Sequence, residues 1–226
     1  MLRLSAPSGL VLATQKLGSI TGGGTEGKRR AAWNDVEPML ADLASALAAR
    51  DPATAAHCTR VTFLSRRLAG WLGWDERQLR TVEVGAPLHD IGKVTISEAL
   101  LRKRGPLLPH ELAEIRTHPA AGAKLISPIG PARDALPYVL YHHEHWDGGG
   151  YPTGRRGTQI PEGARLLAVA DAFDAMTSTR PYRRALPTMR ALHEIDRCAG
   201  TQFDPAFAHA FLEAWSAGAL ADAAAI

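Results

Sequence analysis

Three short segments of this chain concentrate side chains that could do chemistry. They are His89-Asp90-Ile91-Gly92-Lys93, then Tyr141-His142-His143-Glu144-His145-Trp146-Asp147-Gly148-Gly149-Gly150-Tyr151-Pro152, and then Leu166 to Met176, which carries Asp171 and Asp174. A histidine beside an aspartate offers a nitrogen and an oxygen donor at one place, a mixture suited to first-row metals such as iron, manganese or zinc. Alone, such a pair reads as a surface pair at a helix end at least as readily as a ligand set. The second segment says more. Three histidines within four residues are hard to explain by packing, because each buried imidazole needs its own hydrogen-bond partner. Metal ligation explains them more simply. The glycines and Pro152 that follow mark a loop, so the histidines belong at a helix end facing an open cavity.

Asp171 lies in a predominantly apolar helical run, where a carboxylate is costly to bury without a cation beside it. Asp174 is one turn later on the same face. His118, just before Pro119, reads either as a ligand or as an exposed loop residue. Lys93 stands four residues after His89 and shares its face if a helix runs on, which would let its ammonium meet an anionic substrate. Gly92 offers an end to that helix instead.

The elements that must position these residues are helical. Val36, Leu40, Leu43 and Leu47 recur at helix spacing after an Asn34 or Asp35 cap, and Val61, Leu64, Leu68 and Trp71 repeat the pattern. Leu79, Val82 and Ala86 continue it, as do Leu112, Ile115 and Leu125, then Leu166, Val169, Phe173 and Met176. Glycine and proline punctuate between the runs, and nothing alternates long enough to build a sheet. The pattern predicts an all-α domain of seven or more helices. Before it, residues 1–33 read as a flexible lead-in, with Thr21-Gly22-Gly23-Gly24-Thr25 and the self-repelling Lys28-Arg29-Arg30, and with one weak strand candidate at residues 9–14. Residues 218–226 read as a fraying alanine-rich tail.

Composition narrows the classes. A chain of 226 residues is long enough for one substantial core, and its net charge of +3 is spread along the whole length. Long nucleic acid is not an expected partner, since that usually needs a concentrated basic stripe; a small anionic ligand fits better. Two distant cysteines, Cys58 and Cys198, argue against a disulfide framework and for a reducing compartment, the cytoplasm. No stretch approaches the roughly 20 apolar residues of a membrane span.

Taken in order, His89-Asp90, Lys93, His118, His142-His143 and Asp171 resemble the HD-GYP family of cyclic di-GMP phosphodiesterases, a branch of the HD phosphohydrolases. His142-His143-Glu144 with Asp147-Gly148-Gly149-Gly150-Tyr151-Pro152, and Thr179-Arg180-Pro181-Tyr182-Arg183, agree with it in identity and order, and the resemblance runs from about Asp51 to Phe211. It implies a catalytic domain over 34–217, a compact helical bundle with a metal cluster in its core. Two divalent ions, iron or manganese, would be bound by His89, Asp90, His118, His142, His143 and Asp171, with Asp90 bridging. His57 matches an upstream histidine that touches the cluster in some members; a histidine satisfied by a neighbouring helix is the other reading. Lys93 would contact the scissile phosphate. Tyr151, Asp174, Arg180 and Arg183 fall at positions near the cyclic dinucleotide, with an orienting role as the alternative for Asp174 and a solvated helix end for the arginines.

The implied activity is hydrolysis of cyclic di-GMP to linear pGpG, with slower cleavage to GMP as a further step, in bacterial second-messenger signalling. Another cyclic dinucleotide such as cyclic GMP-AMP is one alternative substrate. A weakly active messenger-binding module is another reading, against which stands the presence of all six central ligands. The loop from Gly150 to Pro152 would offer a docking surface to diguanylate cyclase (GGDEF) domains. Two departures from the family pattern stand out. Members with a third metal carry a glutamate four residues before the upstream histidine, where this chain has Ala53, so two ions are expected. The loop also continues as Thr153-Gly154-Arg155-Arg156-Gly157, more basic than the usual run.

Overall fold

The structure is a computed structural model describing residues 38, 42–45, 47–49, 51–103, 105–179 and 184–220. The lead-in of residues 1–33, the strand candidate within it, most of the 218–226 tail, and Arg180 and Arg183 lie outside the described residues. Helices α1 (Pro52–Trp71), α2 (Glu76–Leu88), α3 (Glu98–Leu101), α4 (Pro109–Ile115), α5 (His118–Ile126), α6 (Leu136–Tyr141), α7 (Glu162–Thr177), α8 (Thr188–Arg197) and α9 (Pro205–Ser216) follow one another, with short 3-10 turns at Ile91–Thr95, Gly130–Ala135 and Gly157–Gln159. Among the described residues there is no strand, only an isolated bridge between Ala199 and Phe203. The all-α expectation is borne out. No helix among them is long and apolar enough to cross a membrane.

The helix ends follow from side-chain chemistry. Asp51 caps α1 by accepting from the Thr54 backbone N–H at 3.2 Å and its hydroxyl at 2.6 Å. Asp75 and Gln78 form a reciprocal capping box on α2, at 2.8 and 3.0 Å. Pro87 sits at the penultimate position of α2, which stops at Leu88. The helix therefore does not run on from His89 to Lys93. Prolines open α4 and α9 at the first position, where a missing N–H costs nothing.

Apolar side chains gather into two clusters. One joins Val61, Leu64 and Leu68 of α1 to Val82 and Ala86 of α2, Leu166, Leu167 and Phe173 of α7, Ile195 of α8 and Phe211 of α9. The other contains Leu43, Leu47, Leu88, Ile91, Ile126, Ile129 and Val139. The chain passes from the first cluster to the second between Ala86 and Ile91, and again between Tyr138 and Val139. His89, Asp90 and His142 lie at these crossings. Burial on both sides gives them rigid walls, each fully buried Leu or Ile contributing on the order of 1.5–3 kcal/mol.

Gly92 makes the crossing tight enough to matter. A Cβ there would overlap the His118 carbonyl oxygen and stand 2.6 Å from the Gly122 nitrogen, while a Cβ on Gly122 would meet Val139 at 2.8 Å. The turn after Asp90 thus seats directly on the backbone of α5. Gly92→Ala is expected to destabilise the fold by about 1–3 kcal/mol through overpacking, read as a lower denaturant midpoint with an unchanged slope; an unchanged midpoint would mean that the turn lifts off α5 without cost.

Candidate metal centre

Three histidines share one local arrangement. His89, at the end of α2, has Nδ1 2.6 Å from the Ala86 carbonyl. His118, at the start of α5, has Nδ1 2.7 Å from the Ile115 carbonyl. His142, at the end of α6, has Nδ1 3.1 and 3.0 Å from the carbonyls of Tyr138 and Val139. A carbonyl only accepts, so each Nδ1 carries the proton and donates it, which leaves each Nε2 as a bare lone pair. Those lone pairs converge. His118 Nε2 is 3.2 Å from Asp90 Oδ1 and 3.3 Å from His142 Nε2, and His142 Nε2 is 4.0 Å from the same Oδ1. His89 Nε2 is 3.5 Å from Asp90 Oδ2 and has no hydrogen-bond partner among the described residues.

Two bare nitrogens facing each other at 3.3 Å repel unless a proton or a cation lies between them. A proton is disfavoured: burial, reinforced by the neighbouring histidines, holds His142 well below the usual imidazole range, and burial lowers His89 despite Asp90. His143, half-buried beside them, is pushed down to about 3, by burial first and by the charge of Lys93 as well. Neutral imidazoles with bare Nε2 atoms are the state a metal requires. Ligand atoms of Asp90, His118, His142 and His143 all lie within 4.8 Å of one another, and so do those of His57, His89 and Asp90. Asp90 belongs to both groups, one oxygen nearer each. The residues fit a divalent cation on either side of one carboxylate.

The acidic side of the site is built by α1 and α7. His57 Nε2 is 3.0 Å from Asp171 Oδ1, and its Nδ1 is 2.6 Å from Asp174 Oδ2. Burial opposes charge on His57, but these two carboxylates outweigh it and raise the ring to about 9. Asp171 Oδ1 is also 4.0 Å from His89 Nε2. Asp174 is buried, with its oxygens taken by His57, by Arg60 at 2.5 and 3.1 Å, and by the Ser178 hydroxyl at 3.3 Å. Asp90 stays ionised: burial alone would raise its carboxyl, but the Lys93 ammonium beside it holds it well below the carboxylate range. Lys93 reaches it through the 3-10 turn, with Nζ 2.5 Å from Oδ2.

Tyr151 meets the cluster through His143. Its ring stacks on that imidazole with centroids 4.8 Å apart and planes inclined by 26°, its backbone N–H donates to the His143 carbonyl at 3.0 Å, and the Arg116 guanidinium covers it at 5.1 Å. Glu144 anchors this loop: its buried Oε1 accepts from the backbone N–H and hydroxyl of Thr153, both at 2.7 Å. Gly150 packs so closely that a Cβ would overlap the His145 nitrogen. The basic run is absorbed locally, Arg155 lying over Tyr141 at 4.3 Å and Arg156 donating to the Asp147 carbonyl at 2.6 Å. Arg60 and Arg116 were not singled out in the sequence, and Glu144 only as part of the motif with His142 and His143. The one sequence signal for Arg60 is its place three residues after His57, on the same helix face.

His57, Arg60 and Lys93 also line a cleft of 440 Å³ whose other wall includes Leu100, Leu101, Leu107 and Ile115. His143 and Asp171 border a second cavity of 340 Å³.

Histidines and aspartates gathered in the core of a helical bundle define a helical domain with a candidate metal centre. The chain belongs to the HD domain family, whose model matches residues 39–207. It is 39% identical over 168 residues to a Thermotoga maritima protein named cyclic di-GMP phosphodiesterase, covering 73% of this chain and 45% of that one. It is 34% identical over 179 residues to the Vibrio cholerae 3'3'-cGAMP-specific phosphodiesterase 2, covering 78% and 34%. The chain thus spans half the length or less of these curated relatives. In the solved structure of Bd1817, an HDG"Y"P protein from Bdellovibrio bacteriovorus, the fold recurs with a TM-score of 0.59 at 23% identity, over 71% of this chain and 51% of that one. The family resemblance drawn from the motifs is borne out.

Glu144→Ala is expected to free the loop it anchors. Hydrogen exchange resolved by peptide should accelerate over residues 144–157 and stay unchanged in α9; equal exchange in variant and parent would show that Thr153 is held by other contacts.

Proposed function

We propose that this chain is a metal-dependent phosphodiesterase that opens cyclic di-GMP to linear pGpG, with slower cleavage to GMP as a further step, in bacterial second-messenger signalling. The observation that carries the reading is the sharing of Asp90 between two groups of histidines whose ligand atoms lie within 4.8 Å of one another. His118, His142 and His143 would hold one divalent ion, and His57, His89 and Asp171 the other, with Asp90 between them; iron or manganese suits this mixture of imidazole and carboxylate. When bound, such a pair supplies an activated water and neutralises charge on the phosphoryl oxygens. In the balanced reaction the water oxygen bonds to phosphorus, the bond to the 3' oxygen breaks, and that oxygen takes up a proton.

The remaining roles fall to the chain's own side chains. Lys93 brings positive charge to the scissile phosphate from its place beside Asp90. Tyr151 holds His143 by stacking and presents its hydroxyl to the dinucleotide, and Arg180 and Arg183 grip phosphate or guanine through fork-shaped hydrogen bonds. Asp174 orients His57, a role favoured over substrate contact by its occupied oxygens. The cleft supports a nucleotide, with Lys93 and Arg60 for phosphate and leucines for a flat base. Pro152 is exposed, which supports a docking role for its loop toward a GGDEF domain. The 3'3'-cGAMP-specific relative keeps cyclic GMP-AMP as the rival substrate.

Protein prepared without oxygen and loaded with iron or manganese should convert cyclic di-GMP to pGpG by chromatography, faster than it turns over cyclic GMP-AMP; the reverse order would reassign the substrate. Asp90→Ala should lose both metal and turnover, because no neighbouring side chain can bridge in its place. Near-normal hydrolysis at full metal content would sink the assignment.

Ala53 lines the cleft next to Thr54 and His57, and its methyl group has no lone pair. Elemental analysis should therefore find about two ions per chain, as a bridged hydrolytic pair requires. Ala53→Glu, placing a carboxylate one helical turn before His57, should raise the content toward three. Three tightly held ions in the unmodified protein would mean that another residue supplies the ligand.

A further inference from the structure

We propose that Arg60 is a positioning residue for the metal centre, clamping Asp174 so that His57 presents Nε2 to the ion it shares with His89 and Asp90. This rests on the metal-dependent reading above and adds to it a residue that never touches the ions.

The geometry is a continuous chain of side chains from the cleft to the cluster. Arg60 forks onto Asp174, Nε to Oδ1 at 2.5 Å and one terminal nitrogen to Oδ2 at 3.1 Å, and the same nitrogen donates to the Ser178 hydroxyl at 2.9 Å. Asp174 Oδ2 faces His57 Nδ1 at 2.6 Å, and His57 Nε2 faces Asp171 at 3.0 Å. His89, His118 and His142 each take their ring orientation from a backbone carbonyl three or four residues back along the chain. His57 is built differently. It sits mid-helix in α1, and its Nδ1 partner is a side chain 117 residues away. A carboxylate on a free rotor cannot fix a ring, so something must fix the carboxylate. The planar guanidinium does so by engaging both oxygens, and Arg60 is itself anchored because it is carried one helical turn beyond His57.

The clamp also reaches toward the substrate side. Ser178 and Thr179 line the same cleft as Arg60 and lead into the segment that carries Arg180 and Arg183. One guanidinium therefore ties the orientation of a metal ligand to the start of that segment. Loss of a group that orients a ligand usually weakens metal binding about 10–100-fold.

The test measures manganese binding, with free Mn(II) followed by electron paramagnetic resonance and bound metal by elemental analysis. The unmodified chain is expected to hold about two ions. Arg60→Ala should keep one tightly and bind the other about 10–100-fold more weakly, at an unchanged helical circular dichroism spectrum. Asp174→Asn should give the same pattern, and the double variant should be no worse than either single one, because both act through His57. Arg60→Lys, which keeps the charge but loses the fork, should also weaken the second ion, and it decides the matter if Arg60→Ala fails to fold. Equal affinity for both ions in folded Arg60→Ala or Arg60→Lys would overturn this inference alone. Failure of the unmodified chain to take up manganese would overturn it together with the metal-dependent reading.

Discussion

The structure turns on a buried carboxylate that several uncharged imidazoles face with their lone pairs. Asp90 is 2% exposed, and an ionised carboxylate there is costly unless cationic or hydrogen-bonding partners surround it. Lys93 offsets part of that cost. What remains is a set of bare nitrogens that cannot satisfy one another, since acceptors do not pair with acceptors. Each is held in that state by its other nitrogen, committed to a backbone carbonyl. The arrangement is thus imposed by helix geometry: a histidine at a helix terminus finds a carbonyl three or four residues back, and the ring then points its second nitrogen outward.

This accounts for where the helices stop. The end of α2, the start of α5 and the end of α6 meet at Asp90, and each supplies one histidine. Gly92 and Gly122 let the backbones approach closely enough for these termini to meet, and the two apolar clusters press on them from either side. The loop after α6 is tied down in turn, Trp146 and Asp147 donating to the carbonyls of Gln202 and Thr201 at 3.1 and 2.8 Å. His143 would otherwise sit on a free loop. Its stacking with Tyr151 transmits the loop's order to the cluster.

How much of this was legible follows from the range of each interaction. The histidine run and Asp171 could be read because their types contradict their surroundings, polar donors where packing alone offers no partner. His118 left two readings open in the sequence, since a histidine before a proline also suits a loop; its burial depends on Gly92, 26 positions away, admitting the α5 backbone. Lys93 shared the face of His89 only if a helix ran on, with an end at Gly92 as the other reading; the helix ends at Leu88 and a 3-10 turn brings the ammonium to Asp90 from three residues away. Arg60 carried no such contradiction, because an arginine in a helix is ordinarily solvated along its stem and head. Its partner Asp174 is 114 residues distant, and only the packing of α1 on α7 brings them together.

The two walls of the site therefore carry different kinds of information. The side built from helix termini, His89, Asp90, His118 and His142, depends on backbone carbonyls and glycines, so it tolerates little change. The side built from α1, α7 and the cleft depends on side-chain pairs, His57 with Asp174 and Asp174 with Arg60, and on leucines that no metal touches. A substitution there leaves the backbone in place while shifting a ring or a charge by a fraction of an ångström. Relatives named for cyclic di-GMP and for 3'3'-cGAMP are 39% and 34% identical to this chain. Under the proposed phosphodiesterase reading, choice of base would belong to the second wall, where Ala53, Arg60 and the Leu100–Leu101 edge face the same cleft.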